Sequence, residues 1–303
     1  MHDHTQLVKP REAPVKVSLI VCTKNRSEFL RRFLASLDLT EQPSYTAEIV
    51  IVDNGSEDDT KAVCTQAAHQ SRWNIHYTYC AKPGLGNARN HGVEHSRGEI
   101  LAFTDDDCLL DNHYFLALVA GIEKYRADFG GGQIHHHNPD HDPRMASLRF
   151  THSRKLPKDF HYLPSGTVQG ANMFFARHVF NAIGGFNPLM GSGTPFPCED
   201  IEFAARANQA GYNGTMLADL IVHHDHRRSL GSDEADCTAL GYKRGKGAYL
   251  ASLLLRGYPA PFNVWLADFE NKEREVFLAG LVAQLRGAAD YLETALTVRD
   301  DQQ

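Results

Sequence analysis

The chain has 303 residues, 42% of them hydrophobic, which is enough for one large α/β domain or for one domain with an appendage. A net charge of −6 argues against a general nucleic-acid-binding protein, and no apolar run approaches the ~18 residues of a transmembrane helix. There is no apolar signal segment, and the six cysteines are scattered without a C-x-x-C pair. We therefore expect a cytoplasmic protein with reduced thiols.

Apolar runs of strand length alternate with stretches of helical spacing over the first 125 residues. The predicted strands are 15–22, 48–52, 74–79 and 100–103, and the predicted helices are 29–37, 57–69, 87–94 and 112–125. This alternation predicts a parallel sheet with right-handed crossovers. The carboxyl ends of such strands lie on one edge, where ligands bind.

Polar groups follow three of these strands. They are Thr23 to Arg26 after the first strand, Asp53 after the second, and Asp105 to Asp107 after the fourth. Because the strand ends share one edge, we expect the three groups to converge. That convergence indicates a site more strongly than any single motif does.

The aspartate triplet lies directly after the apolar run Ile100–Phe103. Adjacent carboxylates repel each other and lose solvation at the end of a buried strand, so they need a cation or hydrogen-bond donors. Oxygen ligands favour Mg²⁺ or Mn²⁺, which typically also bind substrate phosphates. The alternative is a solvated acidic turn that caps the next helix.

The second half of the chain is less regular. Residues 128–167, rich in His, Pro and Gly, are predicted to be irregular, and the histidines at 135–137 with His141 are assigned to a loop rather than to a transition-metal site. Further strands are predicted at 168–175 and 216–222, a helix at 199–209, and mainly helix from 233 onward.

The ordered set of motifs resembles the family 2 glycosyltransferases, an inverting family with the GT-A fold. The matching segments are Ser18–Arg26, Val52–Ser56, Gly84–Gly92, Phe103–Cys108, Gly184–Phe186, Glu199–Glu202 and His224–His226. Each segment is weak evidence alone, but the ordered set is specific. The bacterial soluble or peripheral branch fits better than the membrane synthases.

The resemblance implies a domain organisation. We expect a flexible N-terminus over 1–14, a GT-A catalytic domain over 15–230 and a helical C-terminal extension over 231–303. Within the catalytic domain, 15–110 would bind the nucleotide and 111–230 would carry the acceptor and catalytic functions. The expected fold is thus a mostly parallel, Rossmann-like sheet flanked by helices, with that extension.

The resemblance also assigns nucleotide-binding roles. Asp53, with Asn54 beside it, would recognise the base. Thr23, Asn25 and Glu28 would line the other side of the base and ribose. A plain turn at Asp53-Asn54-Gly55 is the alternative, since Asn-Gly is a strong turn signal.

Two basic residues, Lys82 and Arg89, flank a glycine-rich loop that opens a helix. Backbone N–H groups at a helix start favour anions, so this loop is a candidate diphosphate site. A tight turn packed against the sheet is the alternative.

The metal and base assignments follow from the same resemblance. Asp107 would coordinate Mn²⁺ or Mg²⁺. Asp105 would bond the ribose or help to hold the metal, and Asp106 is the uncertain member. His224 or His226 would add a later ligand, with His223 leaving the register open. Asp200 is the predicted general base, with Glu199 as the next candidate.

The leading function is a metal-dependent, inverting glycosyltransferase that moves a sugar from a UDP- or dTDP-sugar to an acceptor hydroxyl in bacterial glycan or glycoconjugate synthesis. The alternatives are a sugar-nucleotide pyrophosphorylase and a nucleotide-sugar-binding protein without catalysis. No nucleic-acid partner is expected. Peripheral contact with the inner face of the membrane and assembly into a homo-oligomer stay open.

Overall fold

A computed structural model describes residues 14–158, 162–270 and 274–300. The described strands are β1 Val17–Thr23, β2 Ala47–Asp53, β3 Asn74–Tyr79, β4 Ile100–Asp105, β5 Cys108–Leu110, β6 Phe129–His136, β7 Arg154–Lys155, β8 Asn172–Ala176 and β9 Gly214–His224. The described helices are α1 Ser27–Leu39, α2 Thr60–Gln70, α3 Leu85–Glu94, α4 Tyr114–Tyr125, α5 Arg177–Ile183, α6 Glu199–Gln209, α7 Asp233–Leu255, α8 Ala260–Glu270 and α9 Arg274–Asp300. The predicted flexible segment 1–14 lies outside the described residues, apart from Pro14.

The first four strands form the parallel half of one sheet, in the order β3-β2-β1-β4. Thr23 at the end of β1 pairs with Asp53 of β2, and Cys22 pairs with Asp105 of β4. The register therefore brings the polar strand ends to one edge, as the sequence predicted. The β-branched and apolar side chains of β1, β2 and β4 are almost completely buried, whereas β3 at the edge of the sheet is partly exposed.

The other half of the sheet is mixed. β8 pairs antiparallel with both β4 and β6, β9 runs parallel to β6, and β5 and β7 each pair antiparallel with β9. The expected Rossmann-like sheet with flanking helices is confirmed, with these antiparallel strands added. The prediction that 128–167 is irregular is wrong at β6, which contains His135 and His136, and at the short strand β7.

The glycines of β6 explain that error. Gly130, Gly131 and Gly132 have the composition of a loop, yet they lie in the middle of the sheet. A Cβ on Gly130 would overlap the carbonyl oxygen of Thr215 on β9. Glycine is therefore needed for the close approach of the two backbones, and it does not mark a turn here.

The helical C-terminal extension packs on the rest of the chain. α7 contacts α9 along its length, and it also contacts α6. The Tyr249 hydroxyl bonds to both the N–H and the carbonyl of Leu163, and Arg256 pairs with Glu202 of α6. None of the helices in the described ranges is long and apolar enough to cross a membrane.

Candidate active site

A cavity of about 920 Å³ opens at the carboxyl edge of β1 and β4. Its walls include the polar turn after β1, the aspartate triplet after β4, the N-terminal end of α6 and one face of α7, together with loop residues from 83–85, 144–147, 165–171 and 192–198. The predicted site residues that line it are Thr23, Asn25, Asn54, Asp105, Asp106, Asp107, Glu199, Asp200 and His224. Glu28, Asp53, Lys82, Arg89 and His226 are not among its lining residues.

The aspartate triplet is held by the turn that follows β1. Asp106 accepts a hydrogen bond of 2.7 Å from the Thr23 hydroxyl and lies 2.9 Å from Nε of Arg26. Nη2 of Arg26 lies 2.5 Å from Asp107. Arg26 thus partly neutralises two of the three carboxylates, and its guanidinium also packs over the ring of Phe29.

His224 brings a second basic group to Asp107. β5 and β9 pair Cys108 with His224, which places Nε2 of His224 3.4 Å from Oδ1 of Asp107. Nδ1 of His224 lies 2.9 Å from the carbonyl oxygen of Ala146, a contact that orients the ring and favours a proton on Nδ1. Nε2 is then the nitrogen directed at Asp107.

These contacts shift the pKa values of Asp106 and Asp107 in opposite directions. Burial raises the pKa of Asp106 to about 7, with Arg26 opposing the shift and the charge of Asp107 adding to it. Burial opposes ionisation of Asp107 too, but the hydrogen bond and charge of His224, together with Arg26, hold the pKa of Asp107 well below its usual range. Asp107 is therefore the member of the triplet that is held as a carboxylate.

A divalent metal fits one part of this group. The ligand atoms of Asp107, Cys108 and His224 all lie within 4.8 Å of one another, and all three residues are buried. Burial raises the pKa of the Cys108 thiol well above its usual value, so the thiol stays protonated and is a poor ligand. Asp107 and His224 are therefore the donors best suited to a metal.

The two neighbouring histidines make other contacts. His223 is about 40% exposed along its side chain and lies 4.0 Å from Asp111. His226 is buried, its Nδ1 accepts the N–H of Arg228, and its ring lies beside the rings of His136, His141 and His224. Of the three histidines at 223–226, the structure brings only His224 to Asp107.

Arg89 joins the sheet edge to α6. Its guanidinium is 3% exposed, forms a close ion pair with Glu199 and lies 3.5 Å from Asp105. Burial raises the pKa of Glu199 to about 7, with Arg89 opposing and Asp200 adding to the shift. The structure thus places Arg89 in a buried network with two carboxylates, away from the glycine-rich loop's free surface.

Asp200 is held differently from Glu199. Its Oδ2 accepts the N–H of Gly170 at 2.8 Å, and its Oδ1 accepts the N–H of Ile201 at 2.7 Å. Each carboxylate oxygen has two lone pairs, so each keeps one for a further proton or hydroxyl group. The carboxylate is fixed in direction and borders the cavity.

The predicted base and ribose residues form a network between β1, β2 and β3. Asp53 is 2% exposed and accepts bonds from the Ser56 N–H at 2.7 Å and the Tyr77 hydroxyl at 2.9 Å. Asn54 donates to the carbonyls of Cys80 and Lys82, which ties the turn after β2 to the loop after β3.

Asn25 and Glu28 hold neighbouring loops. Oδ1 of Asn25 accepts the N–H of Glu57 at 2.7 Å, which joins the turns after β1 and β2. The backbone of Asn25 has a φ of 53°, a left-handed conformation that asparagine tolerates better than most residues. Glu28 is exposed and pairs with Arg227 at 2.9 Å, outside the cavity lining.

Arg26 and Tyr242 are among the cavity residues that the sequence did not predict. Arg26 was placed in a polar turn without a role, although a cation three residues after the end of β1, the strand beside the one that carries the triplet, is a usable signal. Tyr242 of α7 lines the cavity from the C-terminal extension. No pattern in the sequence connects α7 to the sheet edge, because only tertiary packing brings them together.

Comparison with known proteins identifies the class of enzyme to which this mixed sheet and its edge cavity belong. The sequence profile described as "Glycosyl transferase family 2" matches residues 18–184, more than half of the 303-residue chain. The chain therefore belongs to glycosyl transferase family 2 and is a glycosyltransferase.

Named glycosyltransferases from other organisms align with most of the chain. Glycosyltransferase AglE of Haloferax volcanii is 28% identical over 212 residues, which are 70% of this chain and 67% of AglE. The O-antigen chain rhamnosyltransferase WbaN of Salmonella anatum is 29% identical over 221 residues, 69% of this chain and 66% of WbaN. The chain thus spans about two thirds of the length of each.

Solved structures show the same fold. A crystal structure of residues 1–349 of S. aureus TarS matches with a TM-score of 0.58 at 19% identity, over 80% of this chain and 66% of that one. The mannosyltransferase PcManGT from Pyrobaculum calidifontis, in complex with GDP-Man and Mn²⁺, matches with a TM-score of 0.56 at 17% identity, over 96% and 79%. The fold is therefore GT-A.

Proposed function

We propose that this glycosyltransferase uses a divalent cation, Mn²⁺ or Mg²⁺, and moves a sugar with inversion from a UDP- or dTDP-sugar to an acceptor hydroxyl. The observation that carries the proposal is the shared cavity. The carboxylate Asp107 with its partner His224 and the amide-held carboxylate Asp200 line the same space of about 920 Å³. Asp107 with His224 suits a cation and a diphosphate, and Asp200 suits a proton transfer.

Asp107 and His224 would hold the metal, with Asp105 on its open side, since the Asp105 side chain is 36% exposed. When bound, the cation neutralises the negative charge that grows on the leaving nucleoside diphosphate. Arg26 keeps Asp106 and Asp107 in place and adds positive charge where phosphates would lie. The rings of His226 and His224 lie 5.0 Å apart, but it is Nε2 of His224 that contacts Asp107, so His224 is our proposed histidine ligand.

Asp200 would act as the general base. Its two hydrogen bonds from backbone amides fix the carboxylate without neutralising its charge, and a lone pair on each oxygen remains free to accept a proton. The acceptor hydroxyl loses its proton to Asp200 while its oxygen attacks the anomeric carbon. The bond from that carbon to the diphosphate breaks as the new glycosidic bond forms, which inverts the configuration.

Glu199 has a supporting role in this scheme. It is committed to Arg89, whose guanidinium also reaches towards Asp105. This network sets the start of α6 against the end of β4, and thereby sets the position of Asp200. Arg89 would then be a positioning residue, and the diphosphate would be bound by Arg26, by the backbone N–H of Gly84 and by the metal.

The donor would lie along the turns after β1 and β2. Asp53 with Asn54 is our proposed base-recognition group, with Thr23 and Asn25 towards the ribose; Glu28 and Lys82 would contribute only at the rim. A TarS structure contains UDP-GlcNAc and the PcManGT structure contains GDP-Man, which supports a nucleotide-sugar donor. We favour UDP over dTDP or GDP.

The acceptor would be a glycan or glycoconjugate. Among the relatives are O-antigen chain rhamnosyltransferases and poly(ribitol-phosphate) N-acetylglucosaminyltransferases, whose named acceptors are repeating polymers. The division into a nucleotide-binding half at 15–110 and an acceptor half at 111–230 is retained as part of the proposal. A cytoplasmic location is also part of the proposal. Flotation with anionic liposomes tests the alternative of peripheral membrane contact.

Calorimetry with UDP tests the metal-dependent donor site. We expect much tighter binding in Mn²⁺ than in EDTA, and we expect Asp107→Ala to behave in Mn²⁺ as the unaltered protein does in EDTA. The matched control is Asp219→Ala, an exposed aspartate of β9 that is not a cavity residue. Equal UDP affinity with and without metal would contradict the proposal, as would normal binding by the Asp107 variant.

A further inference from the structure

One face of α7 forms a wall of the active-site cavity. Thr238, Gly241, Tyr242 and Lys246 all line it, and their spacing of three or four residues puts them on one side of the helix. α7 lies outside the segment 18–184 that matches the family profile. Part of the catalytic cavity is therefore built from a region that the family match does not cover.

Packing fixes α7 close to the proposed base. A Cβ on Gly245 would overlap the carbonyl oxygen of Pro197, so the helix approaches this loop as closely as a backbone can. Pro197 lies three residues before Asp200. Farther along α7, Tyr249 is buried and bonds to both backbone groups of Leu163. The cavity face of α7 is thereby held in a set position relative to Asp200.

Tyr242 presents an aromatic ring in this wall. The residue is 40% exposed although it lines a cavity. Burial raises the pKa of its phenol to about 12; Arg228 opposes the shift, and the charges of Asp105, Asp200 and Asp107 add to it. The phenol thus stays protonated at neutral pH within electrostatic range of the catalytic carboxylates. It offers a flat apolar face and a hydroxyl donor together.

We propose that this face of α7 is a binding site for the acceptor, and that the acceptor is a glycoside whose sugar ring packs on Tyr242. The inference rests on the proposed function, because it places the ring beside Asp200. A pyranose has an apolar C–H face and a rim of hydroxyl groups, which complements an aromatic ring with polar neighbours. Thr238 and Lys246 lie one turn to either side and can bond such hydroxyls.

The α7 site assigns acceptor recognition to the C-terminal extension rather than to residues 111–230 alone. The donor and the metal would be bound by the sheet edge, and the sugar ring that receives the transfer would be bound by α7. Substitutions at Tyr242 should then change acceptor binding without changing UDP binding.

The probe is a panel of p-nitrophenyl α- and β-hexosides, titrated by saturation-transfer NMR with and without UDP and Mn²⁺, with UDP affinity measured in parallel by calorimetry. We expect Tyr242→Ala to weaken glycoside binding about tenfold, the order expected for loss of an aromatic contact. Tyr242→Phe, which keeps the ring, should lose less. The control is Leu240→Ala, which removes an exposed side chain from the same helix outside the cavity lining.

Unchanged glycoside binding in Tyr242→Ala overturns the inference, and so does the absence of saturable glycoside binding by the unaltered protein. Equal losses in the Leu240 and Tyr242 variants also overturn it, because they would reflect damage to α7 in general. If the unaltered protein fails to bind UDP in Mn²⁺, the proposed function fails instead, and the glycoside titration without UDP still decides the role of Tyr242.

Discussion

The carboxylates on two sides of the cavity are held in opposite ways. At the sheet edge, Asp106 and Asp107 are ion-paired with Arg26, and Asp107 also faces His224. At the start of α6, Asp200 accepts its hydrogen bonds from two neutral backbone amides. The basic groups beside Asp107 keep it ionised, which a metal ligand requires. The neutral donors at Asp200 fix its carboxylate and leave a lone pair on each oxygen that can accept a proton.

The first two residues of α6 repeat this contrast within one turn. Glu199 is buried and committed to Arg89, whereas its neighbour Asp200 borders the cavity with a free lone pair on each oxygen. Acidic residues are favoured in the first turn of any helix, so the sequence alone does not separate the two. Their hydrogen-bond and ion-pair partners distinguish Glu199 from Asp200, and substitutions on each side can test that contrast.

The largest expected effect is on catalysis. Asp200→Asn keeps the size of the side chain but cannot take a proton, so transfer should fall by about 10²- to 10⁴-fold, the range for general base catalysis. UDP binding in Mn²⁺ should be unchanged, because the proposed donor site lies at Asp105 to Asp107 and not at Asp200. Single-turnover transfer and calorimetry measure the two effects separately.

Asp219→Asn is the matched control for this change, since Asp219 is an exposed aspartate on β9. Transfer at the normal rate by Asp200→Asn would remove Asp200 from the mechanism and make Glu199 the next candidate. A parallel loss of stability, UDP binding and transfer would instead identify Asp200 as a structural residue.

The next effect is on stability. Arg89→Met leaves Glu199 buried without its cation, and loss of one partner of a buried ion pair costs about 3–5 kcal/mol. Urea unfolding at pH 8, where Glu199 is ionised, measures this loss. The control is Lys16→Met, which removes an exposed pair with Glu99 and should cost less than about 1 kcal/mol. Equal stability of the two variants would show that Arg89 does not hold α6 to the sheet.

A smaller effect is expected at Asp53, another carboxylate held by neutral donors. Asp53→Ala should weaken UDP binding by about 1.5–3 kcal/mol, the value of a hydrogen bond to a charged group. Tyr77→Phe removes one hydrogen-bond donor to Asp53 but keeps the carboxylate, so UDP affinity should stay close to normal. If both variants bind UDP normally in calorimetry, Asp53 is only a turn residue.

The sequence predicted the parallel half of the fold well, because its signals are local. β1, β2 and β4 are largely apolar, and their register alone brings Thr23, Asp53 and Asp105 to one edge. β6 was missed because its glycines serve a close approach to β9 that no local pattern encodes. The same holds for α7, whose contact with the loop before Asp200 depends on Gly245.

Within the site, the sequence supplied the residue types but not their partners. The triplet was identified as a candidate from its position after a strand, and Asp200 and the histidines at 224 and 226 from the resemblance to family 2 glycosyltransferases. Which histidine faces Asp107 depends on the pairing of Cys108 with His224 in two antiparallel strands. The commitment of Arg89 to Glu199 depends on packing between α3 and α6, which lie far apart in the sequence.

The smallest expected effect is a change in the pH dependence of stability at Glu199. Burial raises the pKa of this carboxyl from 4.5 to about 7 in the folded protein, against the opposing charge of Arg89. Between these two values the folded state binds one more proton than the unfolded state. This group's contribution to stability is therefore fully present below pH 4.5 and is lost as the pH rises towards 7.

Glu199→Gln removes that ionisation, so the difference in melting temperature between variant and unaltered protein should move in the variant's favour from pH 5 to pH 7.5. Calorimetric scans in EDTA measure the difference and exclude any effect of bound metal. Glu57→Gln, at an exposed glutamate of the turn after β2, is the control and should give a constant difference. Parallel curves for Glu199→Gln would mean that Arg89 outweighs burial and keeps Glu199 ionised throughout this range. The contrast within α6 would then be one of geometry alone, with only Asp200 placed to accept a proton.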